Sequence, residues 1–262
     1  MLLAIDIGNT DIVFALNRDD QWIHHWREKS DVSQLPGAFA LNLKNHFLES
    51  DLKIAQVDTV VLSSVVPALT PVIQNMIEIV FRLQPLIVGP DIYPQITIKT
   101  NNPLEIGSDL VANAAAAFAS TKDFCVVVDF GTALTFTTVN DVGQILGVAI
   151  APGLKTAMKS LSGNTAQLPD VPLEVPDSVL GKDTIHAMQA GILHGYIGLV
   201  KNMIEAIQNE IGRSCQVIAT GGLSSVLVEL HPHFDEINAL LTLDGLKVIA
   251  EEISHGNQDS NG

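Results

Sequence analysis

Short, β-rich apolar runs alternate along this chain with longer stretches of helical periodicity. Residues 2–6, 59–63 and 126–129 are apolar on successive positions, which predicts strands buried on both faces. Residues 215–219 read as a further strand of the same kind. Apolar positions at helical spacing predict helices over 70–83, 110–120, 184–208 and 243–252. Strands interleaved with helices predict an α/β protein. The 112–119 stretch, with four consecutive alanines, predicts a helix that packs closely on its neighbours. Residues 165–176 carry three prolines among few apolar positions and predict a surface loop or flap, and the polar segment 251–262 predicts a flexible tail.

The pattern also repeats. Ala4-Ile5-Asp6-Ile7-Gly8-Asn9-Thr10 and its continuation to Phe14 can be laid over Val127-Val128-Asp129-Phe130-Gly131-Thr132-Ala133 and its continuation to Thr137. Asp6 and Asp129 stand 123 residues apart, about half the chain. Each copy is an apolar strand, Asp-x-Gly, a small polar residue and a second strand. A glycine two residues past a strand-end carboxylate lets the backbone turn tightly and approach a ligand. The duplication predicts two similar α/β halves, 1–115 and 116–250, with a ligand in the cleft between them.

Composition narrows the function classes. With 47% hydrophobic and 16% charged residues over 262 positions, disorder is excluded as a description of the whole chain. Apolar runs such as 60–66 end well short of membrane-spanning length, and the N-terminus lacks the basic start of a signal peptide. Cys125 and Cys215 sit inside apolar runs without metal-ligand spacing and read as core residues. Together these predict a cytoplasmic protein with no membrane partner. The net charge of −15 argues against a nucleic-acid partner, which needs a positive surface. If the substrate is a polyphosphate, backbone amides and a divalent metal must supply the local positive charge.

Four motifs carry candidate chemistry, each beside a plain structural reading. In Asp6-Ile7-Gly8-Asn9-Thr10, the Asp can hold a metal while turn amides and the Asn and Thr side chains cradle phosphates. The same residues also make ordinary hairpin turns, and recurrence at Asp129 favours the functional reading. Asp109, after Gly107 and Ser108, either caps the following helix or acts as general base on a hydroxyl. Thr220-Gly221-Gly222-Leu223 follows a strand, where backbone can meet a nucleotide. Gly181-Lys182-Asp183-Thr184 is either a cap or an anion-facing helix start. The eight histidines show no metal-protease spacing, and no Walker-type loop or nucleophile elbow is present.

These motifs occur in order with Ser64-Val65-Val66-Pro67, Asn102-Pro103, Ala151-Pro152-Gly153-Leu154 and Thr165-Ala166-Gln167-Leu168-Pro169. The ordered set resembles the type III pantothenate kinase family from residue 1 to about 250. The resemblance implies duplicated ribonuclease H-like, actin-like ATPase domains with the active site in the cleft between them. It implies ATP-dependent phosphorylation of pantothenate, the first step towards coenzyme A, by a homodimer that uses Mg²⁺ and a monovalent cation, K⁺ or NH₄⁺. On this resemblance Asp6, Ile7, Gly8, Asn9, Thr10, Asp11, Ile12 and Val13 form the first nucleotide-phosphate turn, with Asp6 at the metal. Gly131 and Thr132 form the second nucleotide contact, and Asp129 the monovalent-cation ligand. Asp109 is the general base, and Thr100, Gly107, Ser108, Asp109, Leu110 and Thr184 lie on the acceptor side. The chain departs from the family where Gly-Ala-Asp-Arg becomes Gly107-Ser108-Asp109-Leu110, and where Thr100 replaces a Tyr. Such departures leave room for a catalytically weakened relative of the Bvg accessory factor type, or for a kinase acting on a related hydroxylated small molecule.

Overall fold

The computed structural model describes residues 1–164 and 168–259. Its backbone divides into two compact units: Met1–Ala116 with the segment from Thr242 onward, and Ala117–Leu241. The first unit opens with β1 (Leu2–Ile7), β2 (Asp11–Arg18) and β3 (Gln21–Lys29), an antiparallel meander. Asp19 and Asp20, with φ of 51° and 63°, close its second turn, since short Asp side chains tolerate the left-handed region. Then come α1 (Pro36–Glu49), β4 (Thr59–Ser64), α2 (Thr70–Phe81), β5 (Leu86–Ile87) and α3 (Ser108–Thr121). The strand order is β3-β2-β1-β4-β5, with β4 parallel to β1. Ile5, Ile7, Ile12, Phe14 and Leu62 are fully buried and meet Phe39 and Leu43 of α1 and Ile73 and Met76 of α2.

The second unit repeats this plan. β6 (Cys125–Phe130), β7 (Ala133–Val139) and β8 (Ile145–Pro152) form the meander, followed by α4 (Leu154–Gly163) and α5 (Thr184–Gln189). A π-turn (Ala190–His194), α6 (Gly195–Ile211), β9 (Gln216–Thr220) and β10 (Glu236–Ile237) complete it. Its order, β10-β9-β6-β7-β8, is the first sheet's order repeated, with β9 parallel to β6. The duplication differs from a gapless overlay in one respect. Four residues separate the paired Ile7 and Ile12, whereas three separate Phe130 and Leu134. The copies therefore match through Gly8 and Gly131 and slip by one residue beyond.

Other elements also differ from the sequence pattern. The helix expected over 184–208 is α5 and α6 joined by the π-turn. Asp183 caps α5 by accepting from the His186 amide at 2.8 Å, and His186 and His194 use Nε2 to hold the carbonyls of Ser178 and Pro176 at 2.9 and 3.0 Å. Both rings therefore clasp the proline-rich segment. Of the expected flap, Thr165, Ala166 and Gln167 lie outside the described residues, as do 260–262 of the expected tail. The rest of that tail is helical: α7 (Leu241–Asp259) continues past the last apolar position, because propagation needs only one further backbone bond per residue.

α7 is grouped with the first unit, whereas the repeat alone puts residues up to 250 in the second. Gly245 lies so close to the Ala112 backbone that no side chain fits between them. Around it, the Trp22 indole donates to Asp244 at 2.6 Å, and Thr97 donates through its amide and hydroxyl to Glu252 at 2.8 and 2.6 Å. No described helix is long and apolar enough to cross a membrane.

Candidate active site

In the first unit the candidate residues collect at the carboxyl ends of two adjacent parallel strands, where open α/β sheets bind ligands. Asp6, near the end of β1, is in register with Val13 on one side and Ser63 on the other. The turn that follows is held by the Gly8 amide donating to the Asp11 carbonyl at 3.1 Å and by Ser30 Oγ donating to the Gly8 carbonyl at 2.5 Å. Asp11 pairs at 2.6 Å with the exposed Lys29. Asn9 and Thr10 stand exposed at the tip, and Ile12 and Val13 lead into β2.

Asp109 reaches the same strand ends by a second route. Ser108, the first residue of α3, bonds through its hydroxyl to Ser63 Oγ at 2.9 Å, the Ser64 amide at 3.0 Å and the Ser64 carbonyl at 3.2 Å. Asp109 follows and accepts from the Leu110 amide at 2.9 Å, so it takes up one of the free N-terminal amides of the helix. Gly107 leaves room for the Asp109 carboxylate, because a side chain at that position would collide with the carboxylate as it is placed. Burial pushes the Asp109 carboxyl above its ordinary value, with the amide bonds pulling partly the other way. The nearby Tyr93 phenol is pushed up to about 12, first by burial and then by the Asp109 charge. Helix capping and a carboxyl raised by burial are thus found in the same residue. Leu110 is half-buried beside it, and Thr100 lies upstream in a bend where its hydroxyl is 3.4 Å from the Asn102 amide. The Lys99 ammonium is committed to the Ile96 and Pro94 carbonyls at 2.6 and 3.1 Å.

The second unit builds a matching turn at the end of β6. Asp129 is in register with Thr135 on β7 and Thr220 on β9. Gly221 has φ of +89°, and a Cβ there would stand 2.6 Å from Asp129 Oδ1 and 2.7 Å from the Phe130 backbone. Gly153, just before α4, is packed equally tightly: its amide donates to the Thr132 carbonyl at 3.0 Å, and Thr156 Oγ1 donates to the same oxygen at 2.8 Å. The Ala-Pro-Gly and Gly-Gly motifs therefore converge on Asp129, Gly131 and Thr132. Thr184 stands elsewhere in this unit, exposed as the first residue of α5.

Ser63 and Tyr93 lie beside the candidate residues and are passed over by motif reading, and Ser64 is read only as the start of Ser64-Val65-Val66-Pro67. Two hydroxyls ending an otherwise apolar strand were the available signal, since a buried hydroxyl implies a specific partner. Tyr93 lies in a segment without a motif. Among the described residues, no group of three or more His, Cys, Asp and Glu side chains could hold a metal ion.

Comparison with known proteins agrees with this geometry. A family model for type III pantothenate kinase matches residues 2–206. Curated relatives described as type III pantothenate kinases include one from Citrifermentans bemidjiense, 37% identical over 95% of this chain and 98% of its own. Another, from Syntrophobacter fumaroxidans, is 38% identical over 96% of this chain and 98% of its own. Among solved structures, a Baf family protein from Campylobacter jejuni, described as a transcriptional activator, superposes with a TM-score of 0.60 at 20% identity, covering 97% of this chain and 99% of that one. MreB 5 of Spiroplasma citri, bound to AMPPNP, gives 0.54 at 9% identity, covering 99% and 98%. At those identities the structures establish fold alone: duplicated ribonuclease H-like domains of the actin-like ATPase kind. The extent and identity of the sequence match establish more, and the chain belongs to the type III pantothenate kinase family.

Proposed function

We propose that this chain transfers the γ-phosphoryl group of ATP to the primary hydroxyl of pantothenate, giving 4'-phosphopantothenate and ADP. The observation that carries the reading is the partly buried Asp109 carboxylate, next to Ser108, which is fastened to the end of β4 beside the end of β1 that bears Asp6. Asp109 accepts the hydroxyl proton as the oxygen forms its bond to the γ-phosphorus and the bond to the β-phosphate bridge breaks. A carboxylate whose pKa is raised by burial is a better base than a solvated one. The loose transition state asks for little covalent help, so positioning and charge complementarity supply most of the acceleration.

Residues 6–13 form the first phosphate turn, and Gly131 and Thr132 the second nucleotide contact. Gly107, Ser108, Leu110, Thr100 and Thr184 line the acceptor side. Because Ser108 spends its hydroxyl on β4, its part there is played through the backbone. The donor sets fit hard, oxygen-loving cations. Asp6 lies at a strand end beside turn amides, and would hold Mg²⁺, which neutralises phosphate charge when bound. Asp129 lies over the Gly221 backbone where a Cβ would otherwise sit, and its register partner Thr135 has a buried hydroxyl with no hydrogen-bond partner. These oxygens suit a monovalent cation, K⁺ or NH₄⁺. A cytoplasmic homodimer completes the reading.

Leu110 in place of the family's Arg removes a charge-assisted contact worth about 1.5–3 kcal/mol, and the tethered Lys99 does not replace it. The test is coupled ADP release with and without pantothenate, and with and without K⁺, for wild type and Leu110→Arg. Turnover that needs pantothenate and rises with K⁺ is expected, with a lower pantothenate KM in the variant. ATP hydrolysis indifferent to pantothenate would overturn the assignment.

A further inference from the structure

The Ser108 hydroxyl can donate one hydrogen bond and accept two, and the structure gives it three partners. It accepts from the Ser64 amide and from Ser63 Oγ, and donates to the Ser64 carbonyl. Ser63 is fully buried and is the register partner of Asp6, and Asp109 is the residue next to Ser108. The backbones that carry these two carboxylates, 103 positions apart in sequence, are thereby joined at one saturated hydroxyl cluster. The cluster continues outward: Thr70, opening α2, donates from Oγ1 to Ser64 Oγ at 2.8 Å. Alanine, the residue the family pattern has at position 108, cannot make any of these bonds.

We propose that the buried Ser63–Ser108 pair is a positioning device that sets the Asp109 carboxylate relative to Asp6, so that the two serine hydroxyls act on the reaction without touching the acceptor. The inference rests on Asp109 being the general base. Gly107 leaves room for the carboxylate on one side and the Leu110 amide holds it on the other, but both belong to the same helix start. Ser108, bonded to Ser63 Oγ and to the Ser64 backbone, ties that helix start to the strand. Misplacement of a reacting group by about 1 Å can cost on the order of a hundredfold in rate.

The experiment compares Ser63→Ala, Ser108→Ala and the double variant with wild type. The readouts are kcat and KM for pantothenate, the affinity for a fluorescent ATP analogue, and the pH profile of kcat/KM. Each single variant is expected to lose roughly 10- to 100-fold in kcat, with ATP-analogue affinity held within about twofold. The double variant should be no slower than Ser108→Ala alone, because losing the Ser108 hydroxyl already removes its bond to Ser63. A loosened helix start admits water to Asp109, so the acid limb should move to lower pH. Tyr93, the other titrating group beside Asp109, stays neutral throughout that range and does not contribute. Ser63→Ala keeps the bonds between Ser108 and the Ser64 backbone, and serves as the folded variant if Ser108→Ala is unstable. Wild-type kcat in either folded variant would overturn the proposal, as would parallel losses in kcat and ATP affinity. Asp109→Asn separates the two readings. If it retains turnover, the base assignment fails; if it is inactive while both serine variants are unaffected, only the positioning device fails.

Discussion

The Gly221-Gly222 pair offers a test in which the two halves of one motif should behave oppositely. Gly221 has φ of +89°, and a Cβ added there would lie 2.6–2.7 Å from Asp129 Oδ1 and from the Phe130 backbone nitrogen and carbon. Gly222 has nothing within 4 Å of its added Cβ. Gly221→Ala therefore meets two costs: about 1–3 kcal/mol for an L-residue in that conformation, and about 1–3 kcal/mol for overpacking against backbone that cannot rotate away. Their sum, roughly 2–6 kcal/mol, corresponds to a fall in Tm on the order of 5–20 °C for units of this size. Relief can come only by moving β9 from β6 or by displacing the Asp129 carboxylate, so K⁺ activation should weaken together with stability. Gly222→Ala should leave both within error. Urea unfolding, with thallium(I) or K⁺ titration followed by thermal shift, measures the two quantities. If Gly221→Ala is as stable as Gly222→Ala, the close approach of β9's end to Asp129 is wrong.

Gly245→Ala should destabilise the first unit, because a methyl group at that point in α7 collides with the Ala112 carbonyl; a Tm fall of several degrees relative to Gly256→Ala, whose added Cβ meets nothing, is expected. Asp109→Asn should abolish turnover yet raise Tm at neutral pH, since it removes the desolvation that raises the carboxyl. The sign follows from linkage: a folded pKa above the unfolded one gives wild type extra protons in the native state. Its stability relative to the Asn variant must then fall as pH rises through the raised pKa, which denaturant melts from pH 4 to 8 will show. His24 works the other way. Burial, then the His46 and His25 charges, lowers its pKa, so the native state binds fewer protons and stability is lost as pH falls below the ordinary imidazole value near 6.5. A His24→Gln variant should flatten the pH 7.5 to 5.5 stability slope of wild type, and an unchanged slope would exclude His24 as its source.

Strand-level features were the most legible in the sequence. Asp6 and Asp129 stand out because each interrupts a buried run at its last turn, and a carboxylate there has few structural reasons to exist. The one-residue slip after Gly131 was invisible, because apolar alternation in β7 remains acceptable at either spacing. Register is decided by pairing: Asp129 opposite Thr135 rather than Phe136 leaves Phe136 on the core face. The polar end of α7 was read as a tail for a related reason: exposed helix has no apolar signal, only backbone bonds such as those that carry it to Asp259.

The acceptor end was less legible because its chemistry is cooperative across elements distant in sequence. Nothing in Gly107-Ser108-Asp109 says whether Asp109 caps a helix or takes a proton; the structure shows the capping bond and a carboxyl raised by burial, which accords with the proposed base role. A capping carboxylate gains from the amide of Leu110, which lowers its pKa, while burial raises it. The net direction is upward, so the group is poorly solvated and more basic than a free carboxylate, as the proposed base role asks. That balance survives only if α3 starts where it does. In this chain the start is set by Ser108 on the Ser63 hydroxyl and the Ser64 backbone, 45 and 44 residues upstream. Such a chain of dependence gives a substitution at Ser63, which touches no substrate, the power to change the acid limb of the reaction.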